Sequence, residues 1–130
     1  MKLGAVDHIT LNVSDMKAAV EFYKKLGMQR EGNLDNDDIV FLWNGDEEHP
    51  LHIQLDQVHG EMKPGLNHIA FTMPDLEEAA KEARAAGIEG RHDPFYQSRS
   101  GRIIFTFPDL DGVGLQFARK DGRGEYEDNP

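Results

Sequence analysis

Two stretches of the chain, VDHITLNVSDMKAAVEFYKKLGM at 6–28 and LNHIAFTMPDLEEAAKEARAAGI at 66–88, carry one plan at an offset of 60 residues. Laid together without gaps they share His8/His68, Ile9/Ile69, Asp15/Asp75, Ala19/Ala79 and Gly27/Gly87, and most other pairs keep their apolar or polar character. A chain of 130 residues that repeats itself on this scale is restricted to architectures built from two copies of one unit.

Each copy opens on alternation. Ile9, Leu11 and Val13 oppose His8, Thr10 and Asn12, and Ile69, Phe71 and Met73 oppose His68, Ala70 and Thr72. This is the period of a half-buried strand. Helix starts follow at Ser14-Asp15 and at Asp75-x-x-Glu78, the second being the better-formed capping box. Met16, Ala19, Val20, Tyr23 and Leu26 make one apolar stripe, and Leu76, Ala79, Ala80, Ala83 and Ala86 the other. Gly27 and Gly87 stand where a left-handed C-terminal cap is wanted.

Three further strands are expected after each glycine. In the first half they fall at Met28 to Gly32, Ile39 to Trp43 and Leu51 to Leu55. In the second they fall at Ile88 to His92, Arg102 to Phe107 and Val113 to Ala118. The prediction is one α+β domain of two βαβββ modules, about 5–58 and 65–119, followed by an acidic tail at 120–130. Neither module can cover both faces of its own sheet, so the two are expected to pack as one unit.

Bulk properties narrow the function. Fourteen basic against twenty-four acidic residues give a net charge of −10, which repels a phosphate backbone and argues against nucleic-acid binding. No stretch approaches the roughly 20 apolar residues of a membrane span, and the start carries no signal-peptide block, so a cytoplasmic location is expected. The absence of cysteine removes disulfides and thiolate ligands, leaving nitrogen and oxygen to hold any metal. The acidic runs EGNLDNDD, NGDEEHP and DGRGEYEDNP read as solvated loops and tail, without chemistry. His49 and His59 fall in or beside turns and receive no role.

The last strands repeat as well, at an offset of 62: Ile53-Gln54-Leu55 lies over Leu115-Gln116-Phe117. Alternation turns His8, His68, Gln54 and Gln116 away from the apolar sets, and His52 shares the side of Gln54. Imidazole and amide oxygen are both competent ligands for a divalent ion, so two histidines and two glutamines outline a Lewis-acid site.

The segments DHITLNVSDMKAAVEFYKKLGM, LHIQL, NHIAFTMPDLEEAAKEARAAGI and FPDLDGVGLQF together resemble the vicinal oxygen chelate superfamily, which includes glyoxalase I, methylmalonyl-CoA epimerase, extradiol dioxygenases and bleomycin-binding proteins. The resemblance spans about residues 5 to 119. It implies paired modules forming a cupped, barrel-like sheet with pseudo-twofold symmetry, and a homodimer. It also implies a divalent metal (zinc, nickel, iron or manganese) held by His8, Gln54, His68 and Gln116. The family usually has glutamate at the last of these positions, and glutamine supplies neither a negative charge nor a base.

The expected function is a glyoxalase-like lyase or isomerase acting on a small oxygenated metabolite bound through two oxygens, with His52 as the candidate base. Two alternatives stay open, a non-catalytic bleomycin-type binding protein and a dioxygenase of the same superfamily. Trp43 and Tyr96 offer stacking surfaces to a small-molecule ligand. Arg99 and Arg102, in a loop read at 90–102, offer a grip on a carboxylate or phosphate.

Overall fold

The computed structural model describes residues 1–32 and 38–121. Most of the acidic run that begins at Glu31, and the acidic tail from 122 onward, lie outside the described residues. The chain runs β1 (Val6–Val13), α1 (Met16–Lys25), β2 (Gln29–Glu31), β3 (Ile39–Trp43), β4 (His52–Gln57), then β5 (Gly65–Thr72), α2 (Leu76–Ala85), β6 (Phe95–Gln97), β7 (Arg102–Pro108) and β8 (Gly114–Lys120). Each half is βαβββ, and the fold is of the α+β class. By contacts the chain divides into a first module, 8–67, and a second formed by 1–7 with 68 onward.

In the first module the strand order is β2-β3-β4-β1. β1 and β4 run parallel, with Ile9 opposite Ile53 and Leu11 opposite Leu55, because α1 carries the chain back between them. The remaining pairs are antiparallel. Met16, Met28, Val40, Leu42 and Leu55 form the core, with Leu11, Val13, Val20, Tyr23 and Ile53 packed against it. One face of the sheet therefore belongs to α1.

The second module repeats the arrangement as β5-β8-β7-β6. β5 and β8 are parallel, with Ile69 opposite Leu115 and Phe71 opposite Phe117. Its core is more aromatic: Phe105, Phe107 and Phe117 pack under Leu76, Ala79, Ala80 and Ala83, small side chains that let α2 lie close to the rings. The first seven residues join this module through the Thr72 N–H, which donates to the Ala5 carbonyl at 2.8 Å, and the N-terminal amine, 3.1 Å from Glu82.

Several expectations need correction. Ile88 to His92 forms no strand; the edge strand of the second module is Phe95–Gln97, inside the segment read as a loop. At Gly90 the chain passes so close to the aromatic core that a Cβ there would collide with the Phe105 ring, and a single backbone bond, from the Arg91 N–H to the Thr106 carbonyl at 2.8 Å, ties this stretch to β7. Leu26 is 66% exposed, because it is the C-cap of α1 and the chain reverses at Gly27, where φ is +90°.

The two N-caps also exchange rank. Asp15 has the extended backbone a cap requires, at φ −140° and ψ 102°, and its side chain accepts from the Ala18 N–H at 3.1 Å. Asp75, at φ −102° and ψ 56°, makes no such bond. α2 is instead tied by Glu77 in its first turn, which accepts from Arg119 of β8 at 2.6 and 2.8 Å. The hydrogen bonds from Arg119 hold the Glu77 carboxyl below its ordinary range.

This difference is measurable. Asp15→Ala is expected to destabilise the protein by about 1 kcal/mol, the usual worth of a lost N-cap, whereas Asp75→Ala stays within about 0.5 kcal/mol. Urea unfolding midpoints of the two variants check the order; equal losses would contradict it.

Candidate metal and catalytic site

In the first module the face turned away from α1 is set by register. Glu31 stands opposite Phe41, Phe41 opposite Gln54, and Gln54 opposite Thr10, so one row crosses all four strands. One step along, Gln29, Trp43 and His52 form the next row, and continuing the β1–β4 register places His8 beside His52. His8 is 7% exposed and Thr10 fully buried.

Gln54 is held by its neighbour two residues on. Its Nε2 donates to Asp56 Oδ1 at 2.8 Å. The amide nitrogen is thereby turned to Asp56, and Oε1 is the group's remaining acceptor.

His52 is also held. Its Nδ1 lies 2.7 Å from Glu31 Oε1, and its ring stacks on Trp43 with centroids 6.0 Å apart and planes 16° from parallel. Trp43, expected only as a stacking surface for a ligand, thus shares the face and the neighbourhood of His52.

The second module places its own pair in the same way. Gln116 stands opposite both Ala70 of β5 and Thr106 of β7. Its Nε2 donates to Thr106 Oγ1 at 3.1 Å, again leaving the carbonyl oxygen for a ligand. His68 precedes Ala70 by two residues, just as His8 precedes Thr10. Each module therefore presents one imidazole and one amide carbonyl at the same diagonal across a parallel strand pair.

That donor chemistry fits a borderline divalent ion. Among the described residues no group of three or more histidines, cysteines, aspartates or glutamates comes together to hold a metal. A metal reading of this chain therefore depends on glutamine oxygens in place of a carboxylate.

The remaining predicted residues separate. Tyr96 pairs with Ile103, which packs on the α2 core, so it occupies the opposite face of the sheet from Gln116 and Thr106. Arg99 lies in the turn between β6 and β7 and is half-buried. Arg102 is not the exposed anion grip that a mobile loop would provide: it begins β7 and is 3% exposed. Its Nε donates to Asp7 Oδ2 and its Nη1 to the Ser100 carbonyl, both at 2.6 Å. As the first residue of β7, a strand expected to start there, it is carried inward with its neighbours.

Sequence reasoning missed Glu31, Asp56 and Thr106. Asp56 was accessible, since alternation from Gln54 puts it on the same face. Glu31 was assigned to a solvated acidic run, but its side chain is only 18% exposed and engages His52. Only the β2–β3 register reveals that contact.

With the geometry in place, comparison with known proteins is direct. A family model described as the Glyoxalase/Bleomycin resistance protein/Dioxygenase superfamily matches residues 5–117. The chain belongs to that superfamily. Its fold is shared with a variant of methylmalonyl-CoA epimerase from Streptomyces coelicolor solved with 2-nitronate-propionyl-CoA (23% identity, TM-score 0.74, covering 93% of this chain and 100% of that one). It is likewise shared with methylmalonyl-CoA epimerase from Mycobacterium tuberculosis (20% identity, TM-score 0.76, covering 93% and 91%). A hypothetical protein from Bacillus halodurans is similar as well (23% identity, TM-score 0.69, covering 95% and 97%).

The Arg102–Asp7 pair yields a prediction. Both side chains are nearly buried, at 4% and 9% exposure, so Arg102→Ala removes the guanidinium from the Asp7 carboxylate and the Ser100 carbonyl and is expected to cost about 3–5 kcal/mol. Arg99→Ala is expected to stay within about 0.5 kcal/mol. Thermal and denaturant unfolding of the two variants would distinguish them, and comparable stability would refute the structural role given to Arg102.

Proposed function

We propose that the protein is a metal-dependent isomerase of the epimerase kind, which removes and returns a proton at the carbon beside a carbonyl in a small oxygenated substrate. The observation that carries this reading is the repeated register: in both modules a histidine precedes by two residues the strand position facing a glutamine, and in both the glutamine amide nitrogen is already donating.

His8 and Gln54 in the first module, and His68 and Gln116 in the second, are the residues that would serve as ligands to a divalent ion (zinc, nickel, iron or manganese). Bound to them, the ion supplies Lewis-acid polarisation of the substrate carbonyl, which acidifies the neighbouring C–H. All four protein donors are neutral, so the ligand set leaves the cationic charge undiminished for the substrate oxygen.

With glutamine at both last-strand positions, the proton needs another acceptor. His52 is on the face of Gln54, with Nδ1 occupied by Glu31 and its ring plane set by Trp43. A neutral imidazole is a competent base near pH 7. A histidine held at one nitrogen and stacked on an indole supports turnover over simple ligand capture, because capture has no use for an oriented lone pair. The epimerase fold neighbours make acyl-CoA thioesters the first substrates to try.

Two measurements test the reading. Elemental analysis of the purified full chain is expected to find bound divalent ion, lost in His8→Ala and in His68→Ala; failure to take up any of the four metals would overturn the ligand assignment. Deuterium incorporation from heavy water beside the carbonyl of acyl-CoA thioesters is expected in the wild type, falling by about 10²-fold or more in His52→Ala. Exchange that survives this substitution would remove His52 as the base.

A further inference from the structure

Resting on the reading of His52 as the base, we infer that Glu31 is its positioning residue: it fixes the imidazole proton on Nδ1 and so leaves the lone pair on Nε2 for the substrate. Glu31 ends β2, the edge strand of the first module, and the β2–β3–β4 register puts its side chain on the face that carries His52 and Gln54. The Nδ1–Oε1 distance of 2.7 Å is that of a charge-assisted hydrogen bond. The carboxylate can only accept, so Nδ1 must be the donor, and in a neutral ring Nε2 is then the basic nitrogen. Nε2 has no hydrogen bond among the described residues.

Two further features mark the pair as more than a surface contact. The side chains are 24% and 18% exposed, so the bond is partly sheltered from water that would compete for Nδ1. Trp43, directly opposite His52 in the ladder, lies nearly parallel to the ring and restrains its rotation about the Cβ–Cγ bond. Hydrogen bond and stack together leave the ring one orientation and one tautomer. In the proposed reaction the substrate C–H bond breaks, its proton passes to Nε2 and its electron pair stays on the substrate. Glu31 keeps its hydrogen bond to Nδ1 meanwhile, and return of the proton to carbon restores the neutral ring.

The tautomer can be read without turnover or metal. In uniformly ¹⁵N-labelled full-length protein, long-range ¹H–¹⁵N correlation is expected to show His52 protonated at Nδ1. Glu31→Ala is expected to abolish that bias. Glu31→Gln, whose amide carbonyl still accepts, is expected to retain it. In the deuterium-exchange assay, Glu31→Ala should lower kcat at least about tenfold with KM within about twofold, and Glu31→Gln should recover most of the loss.

A wild-type ring protonated at Nε2 overturns the inference without reference to any variant. So does an unchanged tautomer in Glu31→Ala, or a loss of kcat in Glu31→Gln as large as in Glu31→Ala despite a retained tautomer. If His52→Ala leaves exchange intact, the base reading falls and takes Glu31's catalytic purpose with it. The tautomer spectrum still separates that failure from a failure of the Glu31 contact itself.

Discussion

A β-strand sends successive side chains to opposite faces, and both β1 and β5 must give one of those faces to a helix. Everything polar in the two modules follows from that obligation. Ile9, Leu11 and Val13 line the side of α1, so His8 and Thr10 have no choice of face; Ile69 and Phe71 place His68 and Ala70 in the same way. The parallel ladders carry the choice sideways, bringing Gln54 beside Thr10 and Gln116 beside Ala70. A slip of one residue would turn the histidines into the helix and expose the apolar set, so core burial and site geometry are enforced by one register.

The modules use the shared plan unequally. The first surrounds its glutamine with chemistry, namely Asp56 on the amide, His52 on the same strand and Glu31 reaching across from the edge. The second surrounds its glutamine with neutral and small groups: Thr106 holds the amide, while Ala70, Ile104 and Ala118 pack as a buried apolar cluster. Repetition supplies the paired histidine and glutamine positions, and divergence leaves the His52–Glu31 contact in the first copy.

The repeat, the helix stripes and the faces of His8, Gln54, His68 and Gln116 were legible because each follows from short-range periodicity. What failed depended on contacts distant in sequence. The second module's edge strand lies at Phe95–Gln97 and not at Ile88–His92, and Arg102, at the junction of an expected loop and an expected strand, is a buried partner of Asp7. Glu31 fell both in an expected strand, Met28 to Gly32, and in an acidic run read as solvated, and only the pairing of β2 with β3, which sets it opposite Phe41, decides between them. Asp75 resembled the stronger cap by composition, but capping depends on backbone angles that Pro74-Asp75 does not adopt.

The grouping of residues 1–7 with the second module bears on how such a chain can have arisen. A duplicated unit is ordinarily imagined as separable, each copy having once folded by itself. Here the later copy borrows from the very start of the chain: the Thr72 amide takes its acceptor from Ala5 and the Arg102 guanidinium its counter-charge from Asp7. A polypeptide cut at the apparent seam would deprive the C-terminal piece of the Asp7 carboxylate and the Ala5 carbonyl that it now uses. The seam of the repeat in the sequence is therefore not the seam of the folded units, because the second unit is completed by residues from the opposite end of the chain.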